Sequence, residues 1–366
     1  MSLWQCFSQS VTDSWYNSSG GWTLILKPLS SLFTFLAERR KQRYLRLSRW
    51  SPPVPVIVVG NISVGGTGKT PLVAALVQEL QERGYRPGIV SRGFGAESGD
   101  YPMLVTSGSD PAEAGDEPVM LARQLDVPLV VDVDRVKAAQ YLCSQTDCNL
   151  IIADDGLQHY NLQRHIELLV LDGERLLGNR LCLPAGPLRE PPERMNSVDM
   201  ILVNTNSTPV SMKVDEVESA LGRNLPGRDN PPGRDNPPGR DKELYYFSLE
   251  PSMPVRVTGV SQPAPGSGQV HGVAGIGNPT RFFNTLRSLG FDVIVHPFPD
   301  HHAFTPEDIT FNDDLPVIMT AKDAVKCSEF ADARHWYLPV TTHLSDSCIE
   351  QLVAMIEARK PATSSL

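Results

Sequence analysis

The chain has 366 residues, of which 41% are hydrophobic and 20% charged, the balance of a folded protein rather than a disordered one. A chain of this length can bury a full core and is expected to form about two domains. The net charge of −9 argues against a general nucleic-acid-binding protein, and the six cysteines lack the spacing of a zinc site.

The first predicted element is a basic helix within residues 1–50. This segment holds seven Lys/Arg and two acids, a surplus of five that leaves −14 on the rest of the chain. The apolar residues Leu24, Ile25, Leu29, Leu32, Phe33 and Leu36 recur at helical spacing, and Arg39, Arg40, Lys41, Arg43, Arg46 and Arg49 follow them. The apolar part is shorter than the ~20 residues that span a bilayer, so we expect an amphipathic helix lying on an anionic membrane surface. The alternative is a helix packed on a soluble domain, with solvated charges.

A phosphate-binding loop is predicted between residues 54 and 70. A β-branched run at 54–59 indicates a buried strand, and 71–80 has helical periodicity. The glycine-rich turn between them ends in Gly-Lys-Thr, the arrangement in which backbone N–H groups surround a polyphosphate. The predicted nucleotide-binding residues are Ser63, Val64, Gly65, Gly66, Thr67, Gly68, Lys69 and Thr70.

Within that loop, Lys69 is expected to neutralise the β- and γ-phosphates, and the Thr70 hydroxyl to bind Mg²⁺. Ser63 stands where the strict pattern has glycine. The alternative interpretation is a glycine-rich strand–helix turn with a chance lysine.

Strands and helices then alternate as far as Asp172, which predicts an α/β fold: a P-loop NTPase-like, mainly parallel sheet with helices on both faces. The predicted elements are a strand ending at 91–93, a helix entered at 114–123, strands at 127–133, 150–153 and 165–171, and a helix at 135–145.

The second half predicts a smaller α/β unit, so the expected domains are 1–50, 51–175 and 176–366. Its elements are strands at 245–249, 255–260, 270–273, 292–296 and 316–320 and helices at 279–289 and 345–360. The last helix can pack back on the first domain. Residues 227–241 repeat Gly-Arg-Asp-Asn-Pro-Pro without apolar residues, which indicates a surface insertion.

Several acids and histidines are candidates for chemistry. Asp154 and Asp155 end an apolar strand, where a carboxylate can hold Mg²⁺ beside the phosphate loop; the alternative is a turn or cap aspartate. Asp116 and Glu117 can be interpreted as ordinary acids in the first turn of a helix, where the helix dipole favours negative charge. The segment 298–304 holds Asp300, His301 and His302, a candidate base or a polar loop. Arg92 and Arg189 are candidate contacts for phosphate or an anionic substrate, with plain solvation as the alternative.

Seven segments, in order between about residues 23 and 352, together resemble the tetraacyldisaccharide 4′-kinases, the lipid A 4′-kinases of Gram-negative bacteria. The two most specific are Asp-Asp-Gly-Leu-Gln-His at 154–159 and Leu-Pro-Ala-Gly-Pro-Leu-Arg-Glu at 183–190. The others lie at 60–71, 91–93, 115–117, 300–301 and 320–325. A serine at position 63, in place of the strict first glycine, is similar to the variant of the loop found in this family.

The resemblance implies ATP and Mg²⁺ as cofactors and transfer of the γ-phosphate to the 4′-hydroxyl of a tetraacylated glucosamine disaccharide 1-phosphate, forming lipid IVA. It also implies a monotopic or peripheral enzyme on the cytoplasmic face of the inner membrane, in contact with anionic lipids and without an obligate protein partner.

The resemblance also assigns roles to residues. Asp116 and His301 would be the catalytic pair together with Lys69, and His301 is preferred to His302 because it directly follows an aspartate. Thr70, Glu117, Asp154 and Asp155 would hold or surround the metal. The candidate substrate residues are Arg92, Gln158, His159, Arg189 and Glu190.

Two rival functions remain open at this point. A membrane-docked P-loop regulatory ATPase would hydrolyse nucleotide without a lipid acceptor and would not need Asp116 or His301. Its GTPase version is weakened because Thr-Ala-Lys-Asp at 320–323 only partly matches the guanine-reading motif. A soluble small-molecule kinase would leave the basic helix unused.

Overall fold

The structure is a computed structural model that describes residues 11, 14–16, 22–47, 50–95, 100–205, 217, 221, 242–258 and 263–361. The insertion predicted at 227–241 lies outside these residues. The first strands are β1 Val56–Gly60, β2 Pro87–Ser91, β3 Met103–Val105, β4 Leu129–Val131, β5 Leu150–Ala153, β6 Ile166–Asp172 and β7 Met200–Asn204. They are followed by β8 Leu244–Pro251, β9 Val255–Arg256, β10 Gln269–Ala274, β11 Asp292–Pro297, β12 Val317–Thr320, β13 His335–Leu338 and β14 Val340–His343.

The helices begin with a 3-10 turn, Trp22–Leu26, and a second 3-10 turn occurs at Pro192–Asn196. The α-helices are α1 Lys27–Arg46, α2 Lys69–Glu82, α3 Pro111–Ala114, α4 Asp116–Gln124, α5 Arg135–Gln145, α6 Pro279–Ser288, α7 Pro306–Ile309, α8 Ala321–Cys327 and α9 Asp346–Ala358. Within the described residues, we find no helix that is both long and apolar enough to cross a bilayer.

The chain divides into two compact units, each built from separated stretches. The first unit comprises residues 1–69, 150–248 and 343–366, and the second comprises 70–149 and 249–342. The boundary falls between Lys69 and Thr70, inside the phosphate-loop motif. Each unit is therefore compact in space but not continuous in sequence. The domains expected from the sequence, 1–50, 51–175 and 176–366, stay a prediction.

The first unit contains a run of parallel strands that carries the phosphate loop. Strands β8, β7, β6, β1 and β5 lie side by side in that order, and each neighbouring pair is parallel. Every residue of β1 is buried, so both of its faces are covered. The helix α9 belongs to this unit, where Arg359 donates to the carbonyl oxygen of His165 at 2.7 Å. The α/β class predicted from the alternating pattern is confirmed.

The second unit contains two groups of strands. Strand β4 pairs with β2 in parallel and with β3 antiparallel. A five-stranded sheet follows the order β11-β10-β12-β13-β9, parallel except for β9. Alternate residues of β12 enter different apolar clusters: Ile318 packs with Phe283, whereas Val317 and Met319 pack with Phe304. Both faces of this sheet are therefore covered by apolar side chains.

The helix α1 presents its apolar residues outward. On the less exposed side, Ser30 donates to the carbonyl oxygen of Cys182 at 2.7 Å, and the half-buried residues of that side are Phe33, Thr34, Ala37, Lys41 and Tyr44. Lys41 lies over the Tyr160 ring, with Nζ 5.4 Å from its centroid. The apolar residues on the other side are more than half exposed, namely Leu29, Leu32, Phe35 and Leu36. A helix is therefore present where the basic segment predicted one, although Phe35 rather than Phe33 is exposed, and Arg49 lies outside the described residues.

Sequence periodicity located the long elements and missed short ones. The predicted helices at 135–145 and 279–289 match α5 and α6, and the strand predicted at 255–260 is described only at Val255–Arg256. The unpredicted elements are β3, β7, β13, β14, α3, α7 and α8. These are strands of three to five residues or helices of four to seven, too short to show a period by themselves. Strands β4 and β5 are as short, and a continuous apolar run made them recognisable.

Candidate active site

The phosphate loop is supported by the segment 183–190. The Val64 N–H donates to the carbonyl oxygen of Pro187 at 2.9 Å, and Ser63 forms an isolated antiparallel bridge with Leu188. Ser63 is buried in this bridge rather than placed at a glycine-requiring turn. The bridge with Leu188 therefore explains why a serine fits at position 63. It also gives the segment 183–190 a structural role, because this segment supports the loop.

Two glycines of the loop adopt conformations that disfavour other residues. Gly65 has φ +103° and Gly68 has φ +85°. Asn204, at the end of β7, donates from its side-chain amide to the carbonyl oxygen of Thr67 at 3.1 Å. A Cβ built on Gly66 would have no atom within 4 Å, so the loop is open at that point. A fixed, glycine-rich backbone with an open side fits a polyphosphate.

Lys69 and Asp155 are brought together in the first unit. The Lys69 Nζ lies 3.5 Å from Asp155 Oδ1, and Arg189 Nη1 lies 3.2 Å from Asp155 Oδ2. Burial raises the pKa of Asp155, but the charges of Lys69 and Arg189 outweigh it and hold this pKa below its ordinary value. Asp155 also has φ +47°, uncommon outside glycine. The carboxylate thus stays ionised between two cations at the predicted nucleotide site.

Glu190, a predicted substrate residue, lies in a buried network behind the loop. Gln158 donates to Glu190 Oε1 at 2.8 Å and to the carbonyl oxygen of Asn61 at 3.0 Å. Tyr160 donates to the other Glu190 oxygen, and Arg194 Nε lies 3.4 Å from it. Because Gln158 links Glu190 to the backbone of Asn61, which precedes the loop, the contacts favour a role for Glu190 and Gln158 in holding the loop.

Asp116 lies in the second unit at the start of α4. Gly115 precedes it with φ +93°, and a Cβ there would lie 3.1 Å from the Gly93 Cα. This close approach of two backbones requires glycine and fixes the start of the helix. Asp116 is 6% exposed; its Oδ1 accepts from the Glu117 N–H at 2.9 Å and its Oδ2 lies 3.1 Å from His301 Nδ1.

Cations hold Asp116 in its ionised form. Burial raises the pKa of Asp116, but the hydrogen bond from His301 and the charges of Lys322 and Lys326 together lower it below the ordinary value. Lys322 Nζ is 3.9 Å and Lys326 Nζ 3.8 Å from Asp116 Oδ2. The group is therefore a weak base suited to orienting a hydroxyl.

The structure distinguishes His301 from His302. His301 contacts Asp116, has φ +59°, and packs against Phe94 with 4.9 Å between ring centroids. The hydrogen bond to Asp116 raises the pKa of His301, against the opposing effects of burial and Lys322.

The neighbouring imidazole has a different partner. His302 Nε2 lies 3.0 Å from Asp308 Oδ2, in the capping box that Thr305 and Asp308 form at the start of α7. Its ring also packs against Phe298 and Phe304. Of the two histidines, His301 is the one paired with Asp116.

Sequence analysis did not single out Lys322 or Lys326 as site residues. Lys322 Nζ lies 3.2 Å from both Glu117 Oε1 and Asp300 Oδ1. Both lysines stand in the run 320–326, whose aspartate, Asp323, is completely buried. The two lysines are one helical turn apart on α8. Only the packing of α8 against α4 shows that both point toward the acids at the start of α4.

Asp323 itself has a structural role. It accepts from Thr320 Oγ1 at 2.6 Å and from the Gly275 N–H at 2.9 Å, and Lys326 Nζ lies 2.9 Å from it. Its carboxylate therefore holds the start of α8. An aspartate in a guanine-reading motif would instead have to contact the base, so these contacts argue against that interpretation of 320–323.

The remaining predicted residues are divided between the units. The acids at 154–155 and the half-buried His159 belong to the first unit; Thr70, in the first turn of α2, Glu117, and the exposed Arg92 belong to the second. In the part of the chain that the structure describes, no three His, Cys, Asp or Glu side chains group to hold a metal by themselves. A nucleotide-bound Mg²⁺ needs only one or two protein carboxylates besides phosphates, which the buried Asp154 and its neighbour can supply. The metal roles of these residues stay a prediction.

Known proteins match this chain over nearly its whole length. The family model described as tetraacyldisaccharide-1-P 4′-kinase matches residues 22–357. The tetraacyldisaccharide 4′-kinase of Alcanivorax borkumensis is 44% identical over 351 residues, which cover 94% of this chain and 97% of the relative. That of Alkalilimnicola ehrlichii is 45% identical over 338 residues, covering 90% and 92%.

A solved structure agrees with these relatives. The "apo" form of LpxK from Aquifex aeolicus in complex with ATP aligns with a TM-score of 0.71 and 26% identity, covering 91% of this chain and 99% of the other. The P-loop kinase fold expected from the sequence is thus confirmed. With a family model matching most of its length and relatives above 40% identity, the chain belongs to the tetraacyldisaccharide-1-P 4′-kinase family.

Proposed function

We propose that this chain is an ATP-dependent kinase that transfers the γ-phosphate to the 4′-hydroxyl of a tetraacylated glucosamine disaccharide 1-phosphate, forming lipid IVA. Family membership supports the activity. The observation that carries the proposal on this chain's own residues is the 3.1 Å contact between Asp116 Oδ2 and His301 Nδ1. A buried carboxylate paired with an imidazole serves to handle a hydroxyl proton, which a regulatory ATPase without an acceptor does not require.

On the donor side, the loop at 63–70 binds the phosphates of ATP. Its backbone N–H groups and the start of α2 supply donors and partial positive charge, and Lys69 adds a full charge. Lys69 leaves Asp155 for the β- and γ-phosphates when nucleotide binds. Thr70, Glu117 and the acids at 154–155 are the residues that would hold or surround Mg²⁺, which would supply neutralising charge to these phosphates.

On the acceptor side, Asp116 accepts a hydrogen bond from the 4′-hydroxyl and takes its proton as the phosphoryl group transfers. Phosphoryl transfer has a loose transition state, so orientation counts for more than strong basicity. This agrees with an Asp116 pKa that lies below the ordinary value. His301 donates from Nδ1 to Asp116 and holds the carboxylate in place. Arg92, His159 and Arg189 are proposed to contact the anionic substrate, with Gln158 and Glu190 supporting the loop.

The transfer assay tests this pair. With Mg-ATP and the tetraacylated disaccharide 1-phosphate, Asp116→Ala and His301→Ala are expected to lower turnover by roughly 10²–10⁴, the contribution of a positioned base. The matched control is His302→Ala. The side chains of His301 and His302 are similarly exposed, at 27% and 28%, but His302 pairs with Asp308. Its turnover is expected to stay within a few-fold of the natural protein.

The same assay separates the rival functions. Release of inorganic phosphate measured without acceptor reports hydrolysis, and phosphorylated lipid reports transfer. Hydrolysis at full rate with no phosphorylated lipid would favour the regulatory ATPase. Normal transfer by both Asp116→Ala and His301→Ala would remove the proposed pair.

We also propose that α1 lies on the cytoplasmic face of the inner membrane and binds anionic lipids. The outward Leu32 and Phe35 would enter the interface, while Arg39 and Arg43 would meet lipid phosphates. Such a site brings the enzyme to an acceptor whose acyl chains stay in the bilayer.

Vesicle co-sedimentation tests the membrane proposal. Vesicles with 30% phosphatidylglycerol, as probe, are expected to bind the protein, less so at high salt. Leu32→Ser with Phe35→Ser should weaken binding at least ~10-fold, because each such side chain contributes about 1.5–3 kcal/mol when fully buried. Ser31→Ala with Gln42→Ala, both exposed polar positions on the same helix, serves as control. Equal binding by the two double variants would show that α1 is not the anchor.

A further inference from the structure

The guanidinium of Arg175 lies beside the phosphate loop of the first unit. A Cβ built on Gly65 would lie 3.3 Å from Arg175 Nη1. Gly66, the next residue of the loop, has no atom within 4 Å of its Cβ position. The guanidinium therefore stands next to the part of the loop that is open to a ligand.

The turn after β6 places Arg175 at this edge of the sheet. Strand β6 pairs in parallel with β1, which leads into the loop, and it ends at Asp172. The Asp172 carboxylate accepts from the backbone N–H groups of Glu174 at 2.9 Å and Arg175 at 3.0 Å, and these contacts fix the turn. Ligands of parallel sheets bind outside the carboxyl ends of the strands. The fold thus brings Arg175 to the edge at which such a sheet binds its ligand.

An aromatic ring from the N-terminal segment orients the Arg175 side chain. The guanidinium carbon lies 5.3 Å from the centroid of the Tyr16 ring. The preceding residue, Trp15, accepts from the Asn179 N–H at 2.8 Å and donates from Nε1 to the carbonyl oxygen of Pro184 at 3.3 Å. A cation over the face of an aromatic ring is attracted by it and keeps its charge. Tyr16 therefore restricts the direction of the guanidinium without neutralising it.

The charge of Arg175 is not offset by a direct acidic contact. Among the residues that the structure describes, its guanidinium forms no ion pair, whereas those of Arg164 and Arg189 each contact a carboxylate. A half-buried cation without a partner is costly, because burial removes part of its hydration. The planar guanidinium presents five donors in a fork that matches phosphate oxygens. Its position and its chemistry both favour an anionic ligand at the loop.

We propose that Arg175 is a further catalytic residue, an arginine supplied by this chain that contacts the γ-phosphate of the nucleotide. The identity of the nucleotide and of the reaction rests on the proposed function. The backbone N–H groups of a phosphate loop hold mainly the α- and β-phosphates. The guanidinium beside Gly65 adds donors from a side chain, which reaches further than the backbone. Charge on the transferring phosphoryl oxygens is stabilised by such an arginine in the transition state.

An alternative role for Arg175 is to fasten the N-terminal segment by stacking on Tyr16. The two roles differ in their consequences for nucleotide binding. A purely structural contact would affect ATP and ADP alike and would lower the Tm of the protein without nucleotide. A contact with the γ-phosphate affects ATP and leaves ADP nearly unchanged.

Isothermal titration calorimetry of the full chain, with Mg²⁺ and without acceptor, distinguishes these roles. Arg175→Met should weaken ATP binding roughly 10-fold, as expected for one hydrogen bond to a charged group, and change the affinity for ADP by less than about threefold. The matched control is Arg256→Met, which also removes an arginine stacked on a ring, 5.1 Å from the Trp336 centroid. It should bind both nucleotides like the natural protein. Unchanged ATP affinity in Arg175→Met, or an equal loss for ATP and ADP, would overturn the proposal.

Conservative variants test how the guanidinium is positioned. Tyr16→Phe keeps the ring and is expected to bind ATP like the natural protein, whereas Tyr16→Leu should show part of the loss seen in Arg175→Met. Arg175→Lys keeps the charge without the fork, so it should recover part of the affinity for ATP. Natural ATP affinity in Tyr16→Leu would contradict the orientation of Arg175 by the ring.

Turnover separates this proposal from the proposed function. Arg175→Met is expected to lower kcat by about 10³, the lower end for an arginine that stabilises phosphoryl transfer. Normal transfer by Asp116→Ala, with selective loss of ATP affinity in Arg175→Met, would contradict the catalytic pair and support the role of Arg175. Loss of transfer in Asp116→Ala, with natural nucleotide affinities and natural kcat in Arg175→Met, would overturn the role of Arg175 alone.

Discussion

The phosphate loop of the first unit and the Asp116–His301 pair of the second unit are built in different ways. The loop is a continuous stretch, residues 63–70, whose chemistry comes from backbone N–H groups, two left-handed glycines and one lysine. The pair joins side chains 185 residues apart, and Lys322 completes it from a third segment. The groups that bind phosphate in the first site come from one local stretch, although the segment 183–190 and Asn204 support it. The second site exists only when the fold is complete.

This difference predicts how each site responds to change. A backbone site tolerates most side-chain replacements but not a change in φ. A site of paired side chains depends on hydrogen-bond direction and charge, and is sensitive to substitutions of its partners. The following predictions examine that contrast, from the largest expected effect to the smallest.

The sharpest separation is expected between Lys69→Ala and Asp116→Asn. Loss of the Lys69 charge should lower turnover by about 10²–10³, as for other preorganised charge-stabilising groups, and weaken ATP binding. Asp116→Asn should lower turnover while binding ATP within about threefold of the natural protein, since its role is on the acceptor. Equilibrium binding of a fluorescent ATP analogue, with Lys137→Ala as an exposed control, measures the split. Equal loss of nucleotide affinity in both variants would contradict the assignment of separate roles.

A smaller effect is expected from alanine in the phosphate loop. Gly65→Ala places a Cβ at φ +103° and 3.3 Å from Arg175 Nη1, so the free energy of unfolding should fall by about 1–2 kcal/mol. Gly66→Ala is the matched control for stability, because no atom lies within 4 Å of its Cβ position. Denaturant unfolding without nucleotide measures both. Equal destabilisation would show that backbone conformation does not distinguish the two glycines.

The smallest expected effect is the pH dependence of stability at the pair. The pKa of His301 is raised by Asp116, so its stabilising contribution is complete below about pH 6.5 and is lost as the pH rises through the raised value. The pKa of Asp116 is lowered, so its contribution is present above about pH 4 and is lost as the pH falls through the lowered value.

The difference in Tm between the natural protein and His301→Ala should therefore be largest near pH 5–6 and shrink toward pH 9. The same comparison in an Asp116→Asn background should lose this pH dependence. A constant difference in Tm across the range would contradict the charge coupling of His301 to Asp116.

The sequence predicted the elements and residues whose signal is local. The phosphate loop, the strand ending at Asp154 and the helix over 135–145 each carry a period or a motif within a short window. The resemblance to one family then predicted the pairing of Asp116 with His301, which no local pattern contains. Residue types alone had left Asp116 open to interpretation as an ordinary helix-start acid.

The rest required the fold. Lys322 looks like one surface lysine of a short helix until α8 lies against α4 and its ammonium meets Glu117 and Asp300. Glu190 was grouped with substrate residues, but its burial with Tyr160 and Arg194 favours a supporting role. In both cases the deciding quantity is which side chains share a buried space, and sequence spacing does not determine that.

The left-handed backbone at His301 carries a consequence for stability. This conformation costs a non-glycine residue roughly 1–2 kcal/mol, and Asp155 in the first unit bears a similar strain. Glycine at either position would relieve it and remove a side chain that the proposed function uses. Leu176 and Arg180 also have positive φ, so the strain alone does not mark a functional position. At His301 and Asp155 we expect an exchange to glycine to raise stability and lower the proposed activity together.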